Sequence, residues 1–126
     1  MTERNKTVRW GILSTAHIAT KVSRAIRLAA GAELVAVGSR TQERADAWAK
    51  EHEVARAHGT YEALLDDPTI DAIYNPLPPS MHLEWTVRAA EHGKHVLSEK
   101  PLAANAAEAV EMAETCRRHG VQQMDG

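Results

Sequence analysis

The stretch VRWGILSTAHIATKVSRAIRLAAGAELVAVGSR, residues 8–40, contains two short apolar runs separated by a helical pattern. Val8–Leu13 and Glu33–Gly38 have the length and composition of buried β-strands. Between them, apolar residues recur at helical spacing from about Ala16 to Ala30, and Gly31 ends the helix. This order predicts two parallel strands joined by a crossover helix.

The same alternation continues along the rest of the chain. Further strands are predicted near Ala55–Ala57, from Ala72, over Lys94–Ser98 and over Val121–Met124. Helices are predicted from the cap Thr41 to about Glu51, over Tyr61–Leu65, over about Met81–Glu91 and from the cap Asn105 to Arg118. The proline-rich residues 75–80 are expected to form an irregular crossing. Six strands and five helices predict an α/β fold, a doubly wound parallel Rossmann sheet with strand order 3-2-1-4-5-6.

Composition excludes several classes of protein. The 126 residues suit one domain, and 15 basic against 17 acidic residues give no sign of a nucleic-acid or membrane surface. The single cysteine, Cys116, cannot form an internal disulfide, which favours a cytoplasmic location. The seven histidines are scattered over different elements, so no metal site is expected.

The loop after the first strand is the candidate phosphate site. Ser14-Thr15-Ala16-His17-Ile18-Ala19 occupies the place of a glycine-rich dinucleotide fingerprint, with Ser, Ala and Ala at the three small positions. Small residues still allow backbone amides and the helix N-terminus to approach a pyrophosphate. A tight turn without a ligand is the alternative interpretation. A register beginning at Gly11 is rejected because it would bury the loop inside the strand.

The residues after the second strand bear on the choice of cofactor. An NAD enzyme usually has a carboxylate there, whereas this chain has Ser39 and Arg40, with Arg44 one helical turn later. A hydroxyl beside a guanidinium suits a 2′-phosphate, so the sequence favours NADP, with NAD as the second choice. The alternative is that Arg40 and Arg44 are merely solvated residues at the start of a helix.

A further candidate lies after the fifth strand. The apolar run Val96-Leu97-Ser98 ends in Glu99-Lys100-Pro101, which predicts a lysine at the carboxyl edge of the sheet, where open α/β sheets bind ligands. Proline fixes the backbone just after it. Lys100 is therefore a candidate catalytic residue, although an ordinary turn remains the alternative.

Four segments occur in a characteristic order: residues 8–16, Ser39-Arg40, Pro76-Leu77-Pro78 followed by His82, and residues 93–102. Together they resemble the glucose-fructose oxidoreductase / inositol dehydrogenase / MocA family. The resemblance covers residues 8–126 and is strongest to the branch with dihydrodiol and xylose dehydrogenases. It implies an NAD(P)-dependent oxidoreductase acting on a sugar, polyol or related carbonyl or alcohol. It also implies that Lys100 relays a proton beside the nicotinamide, that Pro101 and Glu99 lie at the cofactor, and that Leu77, Pro78 and His82 line the nearby channel. The loop residues Ser14, Thr15, Ala16, His17 and Ile18 would contact the pyrophosphate.

The sequence departs from the family pattern in two ways. Pro79 stands where relatives commonly have asparagine, so a polar contact near the cofactor is lost. Relatives also carry a second α/β domain that supplies substrate contacts. We therefore expect residues 1–126 to be a complete cofactor domain whose partner domain is absent, with self-association through the uncovered face. A stand-alone nucleotide-binding or sensor module and a structural fragment that binds nothing tightly are the alternatives.

Overall fold

The computed structural model describes residues 7–15, 17–77, 79–98 and 106–125, and gives the backbone alone at residues 17, 18, 79, 80, 98, 106, 108, 109 and 123–125. The strands are β1 (Val8–Leu13), β2 (Ala32–Gly38), β3 (Arg56–His58), β4 (Ala72–Asn75), β5 (His95–Ser98) and β6 (Gln123–Asp125). The helices are α1 (His17–Leu28), α2 (Gln42–His52), α3 (Tyr61–Leu65), α4 (Pro79–Glu91) and α5 (Ala106–Arg118).

All six strands are parallel and form one sheet in the order β3-β2-β1-β4-β5-β6. The predicted doubly wound fold and its strand order are thus confirmed. The order reverses between β1 and β4, which is the position where open α/β sheets leave a crevice beyond their carboxyl ends.

Helices cover both faces of the sheet. Ile12 and Leu13 are consecutive in β1 and point to opposite faces, as the period of a strand requires. Ile12 belongs to a core cluster that includes Ile26 of α1 and Trp48 of α2. Leu13 belongs to a second cluster, with Leu64 and Leu65 of α3 and Trp85 and Ala89 of α4. The buried apolar residues therefore form two cores, one on each face of the sheet.

Most predicted boundaries agree with the observed ones to within two residues. The predicted cap of α2 is confirmed, because the Thr41 Oγ1 accepts a hydrogen bond from the backbone N–H of Arg44 at 3.2 Å. The predicted α3 has the observed bounds. Gly31 has a φ of 78°, as expected for a residue that ends a helix in the left-handed region. The predicted cap Asn105 lies outside the described residues.

Three predicted boundaries were wrong by one or two residues. Pro79 begins α4 and does not belong to an irregular crossing, because a first-turn residue needs no backbone N–H. Lys94 precedes β5, since its side chain is buried and fixes the loop before that strand. Strand β6 begins at Gln123, because the N–H of Val121 still bonds to the carbonyl of Cys116 in α5 and that of Gln122 bonds to the His95 Nδ1.

Helix α3 packs closely on the sheet because two strand positions are glycine. A Cβ atom added to Gly38 would lie 3.0 Å from the Cβ of Leu64. One added to Gly11 would lie 3.2 Å from the Leu64 Cδ1 and 2.9 Å from the Ile70 Cδ1. Leu64 is fully buried, so it can move little to make room. Because glycine has no side chain, these two positions leave the space that Leu64 occupies.

We expect Gly38→Ala to destabilise the protein by about 1–3 kcal/mol, because the new methyl group overpacks this contact. Leu64→Ala should cost about 2–5 kcal/mol by opening a cavity. Leu64→Ala keeps the Cβ but removes the Cδ2, which would lie 3.2 Å from the new methyl group, and it leaves room for the helix to shift, so Gly38→Ala should cost less in the Leu64→Ala background. Urea denaturation of the double-mutant cycle measures this coupling. Additive costs would contradict the packing described.

Asp67 is a buried carboxylate between α3 and β4. Its Oδ1 accepts hydrogen bonds from the backbone N–H and the hydroxyl of Thr69 at 2.9 and 2.7 Å. Its Oδ2 lies 3.0 Å from the His58 Nε2 and 3.8 Å from the Arg56 guanidinium. Burial raises the pKa of Asp67, but the bonds from Thr69 and His58 and the charge of Arg56 outweigh it and lower that pKa to about 2.

Lys94, the residue directly before β5, binds in the same region. Its Nζ donates hydrogen bonds to the carbonyls of Asp67 and Ile70, both at 2.7 Å, and only 6% of the residue is exposed. Burial is the main reason that the pKa of Lys94 is lowered. The buried amine thus holds the loop between α3 and β4 in place.

The folded-state pKa of Asp67 lies below its ordinary value of 3.8, so the stability that the carboxylate contributes is present above about pH 4 and is lost as the pH falls toward 2. We expect the free energy of unfolding of the wild type to fall by on the order of 2 kcal/mol more than that of Asp67→Asn between pH 5 and pH 2. Asp46→Asn, at an exposed site on α2, is the control and should follow the wild type. Parallel curves for wild type and Asp67→Asn would refute the assignment.

Candidate cofactor site

The carboxyl ends of the strands lie at one level along an edge of the sheet. Leu13 is in register with Gly38, and Gly38 is in register with His58. Tyr74 is in register with Ile12, so Asn75 lies one step further along β4, level with Leu13. Asn75 is in turn opposite Ser98 of β5. The segments that follow these strands therefore begin side by side.

The loop between β1 and α1 has an unusual backbone. Ser14 has a φ of 151°, in the region that favours glycine, and only 9% of the residue is exposed. This is the first small position of the predicted fingerprint, where dinucleotide-binding loops usually carry glycine. Gly11, the start of the rejected register, lies inside β1. Ser14 thus adopts the kind of backbone conformation for which the predicted register would have a glycine.

A hydroxyl pair connects the loop to the end of β2. The Thr15 Oγ1 lies 3.2 Å from the Ser39 Oγ, at hydrogen-bond distance. Ser39 is 4% exposed, and its backbone N–H donates to the carbonyl of His58 at 3.0 Å. Three strand ends are thereby linked, and two residues predicted to bind the cofactor are in contact.

Two predicted arginines follow Ser39 in the chain, Arg40 directly and Arg44 in the first turn of α2. Arg40 and Arg44 are exposed, and among the described residues neither guanidinium forms an ion pair or a hydrogen bond. Arg44 lines an open cleft of about 330 Å³ together with Thr15, Ala47, Trp48 and Glu51. The cleft separates the loop from α2, and its one acidic residue, Glu51, is two helical turns from Arg44. A cationic group and a hydroxyl therefore face the same open space.

Trp48 forms the inner part of this cleft. The residue is 7% exposed, and its ring lies 4.1 Å from that of His52. The buried Nε1 has no hydrogen-bond partner in the part of the chain that the structure describes. Trp48 packs in the core cluster that also contains Ile12 and Ile26.

The segment after β4 is held by a buried amide. The Asn75 Oδ1 accepts a hydrogen bond from the N–H of Leu77 at 3.1 Å, and its Nδ2 donates to the Thr86 Oγ1 at 3.4 Å. Leu77 is 6% exposed and packs in the α3–α4 core, and His82 is 1% exposed. The side chains of Leu77 and His82 are thus packed within the protein, close to the edge where they were predicted to line a channel.

Several predicted site residues cannot be placed. Ala16, Pro78, Glu99, Lys100 and Pro101 lie outside the described residues. The backbones of His17 and Ile18 form the start of α1, and their side chains are not described.

The described residues offer little for a metal site, a nucleophile or a membrane span. Among the described residues, no group of three or more His, Cys, Asp or Glu side chains could hold a metal ion. Cys116 is buried, and burial raises the pKa of its thiol, which disfavours a nucleophilic role. The helices of the described part are too short or too polar to span a bilayer.

Sequence reasoning did not single out Asn75. The available signal was an asparagine at the end of a strand and directly before proline, a combination that favours a side-chain-to-backbone turn. Its partner Thr86 is eleven residues away in α4, and no local pattern indicates that contact.

The chain matches known proteins over nearly its full length. The model of an oxidoreductase family with an NAD-binding Rossmann fold, GFO_IDH_MocA, matches residues 8–126. A D-xylose 1-dehydrogenase (NADP(+)) from Haloferax volcanii is 43% identical over 116 residues, which are 92% of this chain and 36% of the relative. A trans-1,2-dihydrobenzene-1,2-diol dehydrogenase from Xenopus tropicalis is 35% identical over 119 residues, 93% of this chain and 36% of the relative.

A solved structure agrees with the same fold. A 3-ketoreductase from Actinomadura kijaniata, crystallised with NADP and TDP-benzene, superposes with a TM-score of 0.90 and 34% identity. The match covers 96% of this chain and 37% of that one. The chain thus spans about a third of the length of these relatives. The predicted branch is confirmed, and the chain belongs to the glucose-fructose oxidoreductase / inositol dehydrogenase / MocA family, of which it forms an NAD(P)-binding Rossmann domain.

Proposed function

We propose that this chain binds NADP in preference to NAD, and that it is the cofactor-binding part of an enzyme that transfers a hydride between the nicotinamide and a sugar, polyol or related carbonyl or alcohol. In this proposal, residues 1–126 are one Rossmann domain, and the substrate-binding α/β domain is a separate part of the enzyme. The chemistry of the described residues at the sheet edge supports the cofactor, and the relatives support the substrate class.

The observation that carries the proposal is the contact of Thr15 with Ser39, together with the cleft that Thr15 and Arg44 line. Arg40 follows Ser39 directly, and among the described residues neither arginine has an ion-pair partner. Hydroxyl groups and guanidiniums are donors that a dianionic 2′-phosphate would accept from. A ribose 2′-hydroxyl is better matched by a carboxylate, and the residue after β2 is Ser39. The donor set therefore fits NADP.

The phosphate loop would hold the pyrophosphate. Ser14, Thr15 and Ala16 precede α1 in the chain, and His17 and Ile18 begin it. The first-turn N–H groups and the dipole of a helix favour an anion. Ser39, Arg40 and Arg44 would hold the 2′-phosphate. Leu77, Pro78, His82, Glu99 and Pro101 would shape the nicotinamide side.

The nicotinamide would supply the hydride chemistry, and this chain would supply the proton. Lys100 follows Ser98, the last residue of β5, by two positions, so it belongs to the carboxyl edge in sequence. A lysine ammonium can donate a proton to a carbonyl oxygen as that oxygen gains charge, and can accept it back in the reverse direction. We propose Lys100 as the catalytic acid or base.

The relatives support a sugar-like substrate. One relative is a xylose dehydrogenase that uses NADP, and the matched crystal structure is a 3-ketoreductase with NADP and a thymidine-diphosphate ligand. Solvent exclusion and substrate orientation by a second domain can be worth about 7–11 kcal/mol of barrier. The isolated chain should therefore bind the cofactor but turn over poorly. Self-association through its apolar face and a cytoplasmic location remain predictions.

Arg40→Ala should weaken NADPH binding by about tenfold or more and change NADH binding by about threefold or less, because only NADPH has the 2′-phosphate. Titration followed by tryptophan fluorescence measures both dissociation constants. Arg117→Ala, at an exposed position on α5, is the matched control and should leave both unchanged. Equal losses for the two cofactors would refute the assignment, and a wild type that binds neither would refute the proposed function.

Lys100→Ala should leave the NADPH dissociation constant within about threefold of wild type and lower the turnover of the complete enzyme by about a hundredfold or more, because it removes the proton donor. Steady-state rates with the chain joined to its substrate domain provide the measurement. Lys50→Ala, at an exposed site on α2, is the control. Full turnover in Lys100→Ala would exclude the lysine from the mechanism.

A further inference from the structure

Asn75 has a position in the fold that no site assignment above uses. It is the last residue of β4, it is fully buried, and it lies level with the other strand ends at the carboxyl edge. Its neighbour across the sheet is Ser98, the residue directly before Glu99-Lys100-Pro101. Asn75 thus lies at the carboxyl edge, directly before the Pro76–Leu77 segment and across from the last residue of β5.

The residue after β4 is a proline, so the first backbone donor after the strand needs an acceptor, which the Asn75 side chain provides. Pro76 has no backbone N–H, so the first donor after the strand belongs to Leu77. Leu77 is 6% exposed, and a buried N–H that lacks a partner is costly. The Asn75 Oδ1 accepts this bond at 3.1 Å. The amide therefore fixes where the Pro76–Leu77 segment begins to turn.

The other half of the amide connects this turn to a helix. The Asn75 Nδ2 donates to the hydroxyl of Thr86, a fully buried residue of α4. One side chain thereby joins the end of β4, the backbone of the turn and α4. A hydrophobic residue of similar size could fill the space but could satisfy neither group.

From this we infer that Asn75 is a positioning residue for the cofactor: its buried amide holds the Pro76–Leu77 turn against Thr86 of α4, in the place that NADP binding requires. The inference rests on the proposed function, since it concerns the same sheet edge. Asn75 acts through the backbone of Leu77.

Two substitutions by small residues distinguish the loss of the hydrogen-bond acceptor from the loss of side-chain volume. Asn75→Ala removes the acceptor for the Leu77 N–H, whereas Asn75→Ser can still accept from the residue two positions later. We expect Asn75→Ala to raise the NADPH dissociation constant by about tenfold and Asn75→Ser by about threefold or less. Titrations are made well below the melting temperature of each variant, so that the protein is folded throughout.

The control is Val54→Ala, which opens a cavity in the core on the other face of the sheet, a cluster that does not include Leu77. It should lower the melting temperature but leave the affinity of the folded protein for NADPH unchanged. Equal affinities for wild type, Asn75→Ala and Asn75→Ser would overturn the inference. So would a loss in Val54→Ala as large as that in Asn75→Ala.

If Asn75→Ala fails to fold, the inference is tested by substitutions of Thr86, the hydrogen-bond partner of Asn75. Thr86→Val removes the acceptor and should weaken NADPH binding by about threefold or more, whereas Thr86→Ser keeps the hydroxyl and should restore it. Wild-type affinity in Thr86→Val would overturn the inference. Absence of NADPH binding in the wild type would instead overturn the proposed function itself.

Discussion

The close packing of Leu64 on two glycines is the constraint on which the fold depends. Helix α3 connects β3, at one end of the sheet, to β4, which pairs with β1 near the middle. A side chain at Gly11 or Gly38 would lie within 3.2 Å of Leu64. The connection can cross β2 and β1 closely because both positions lack a Cβ, and β4 is thereby brought beside β1. The two halves of the sheet, and the crevice where their order reverses, follow from this contact.

That arrangement decides which side chains can meet. Thr15 and Ser39 are far apart in sequence but follow neighbouring strands that end at one level, so their hydroxyls come within 3.2 Å. The same register brings Asn75 opposite Ser98. The fold supplies a row of loop starts, and the residues after each strand supply the chemistry. Small changes there can alter cofactor choice without altering the core.

Much of this could be predicted from sequence because the periodic patterns are local. The alternation of strands and helices was enough for the strand order, and the hydroxyl of Thr41 marked the start of α2. The errors occurred where contacts between residues far apart in the sequence determine the local structure. Lys94 has the pattern of a strand residue, but two carbonyls from the loop before β4 bind its amine. The importance of Asn75 depends on Thr86, which only the folded chain brings near.

The outermost strand β3 is three residues long. Open sheets polymerise when an unpaired strand accepts another chain along its backbone, and a very short outer strand offers few groups for such pairing. Arg56 adds a charge to the β3 side. Amyloid-like growth from the β3 side is therefore disfavoured. Ordered association of copies is better served by a side-chain surface such as the apolar cleft between α1 and the sheet, lined by Trp10, Val22 and Leu97.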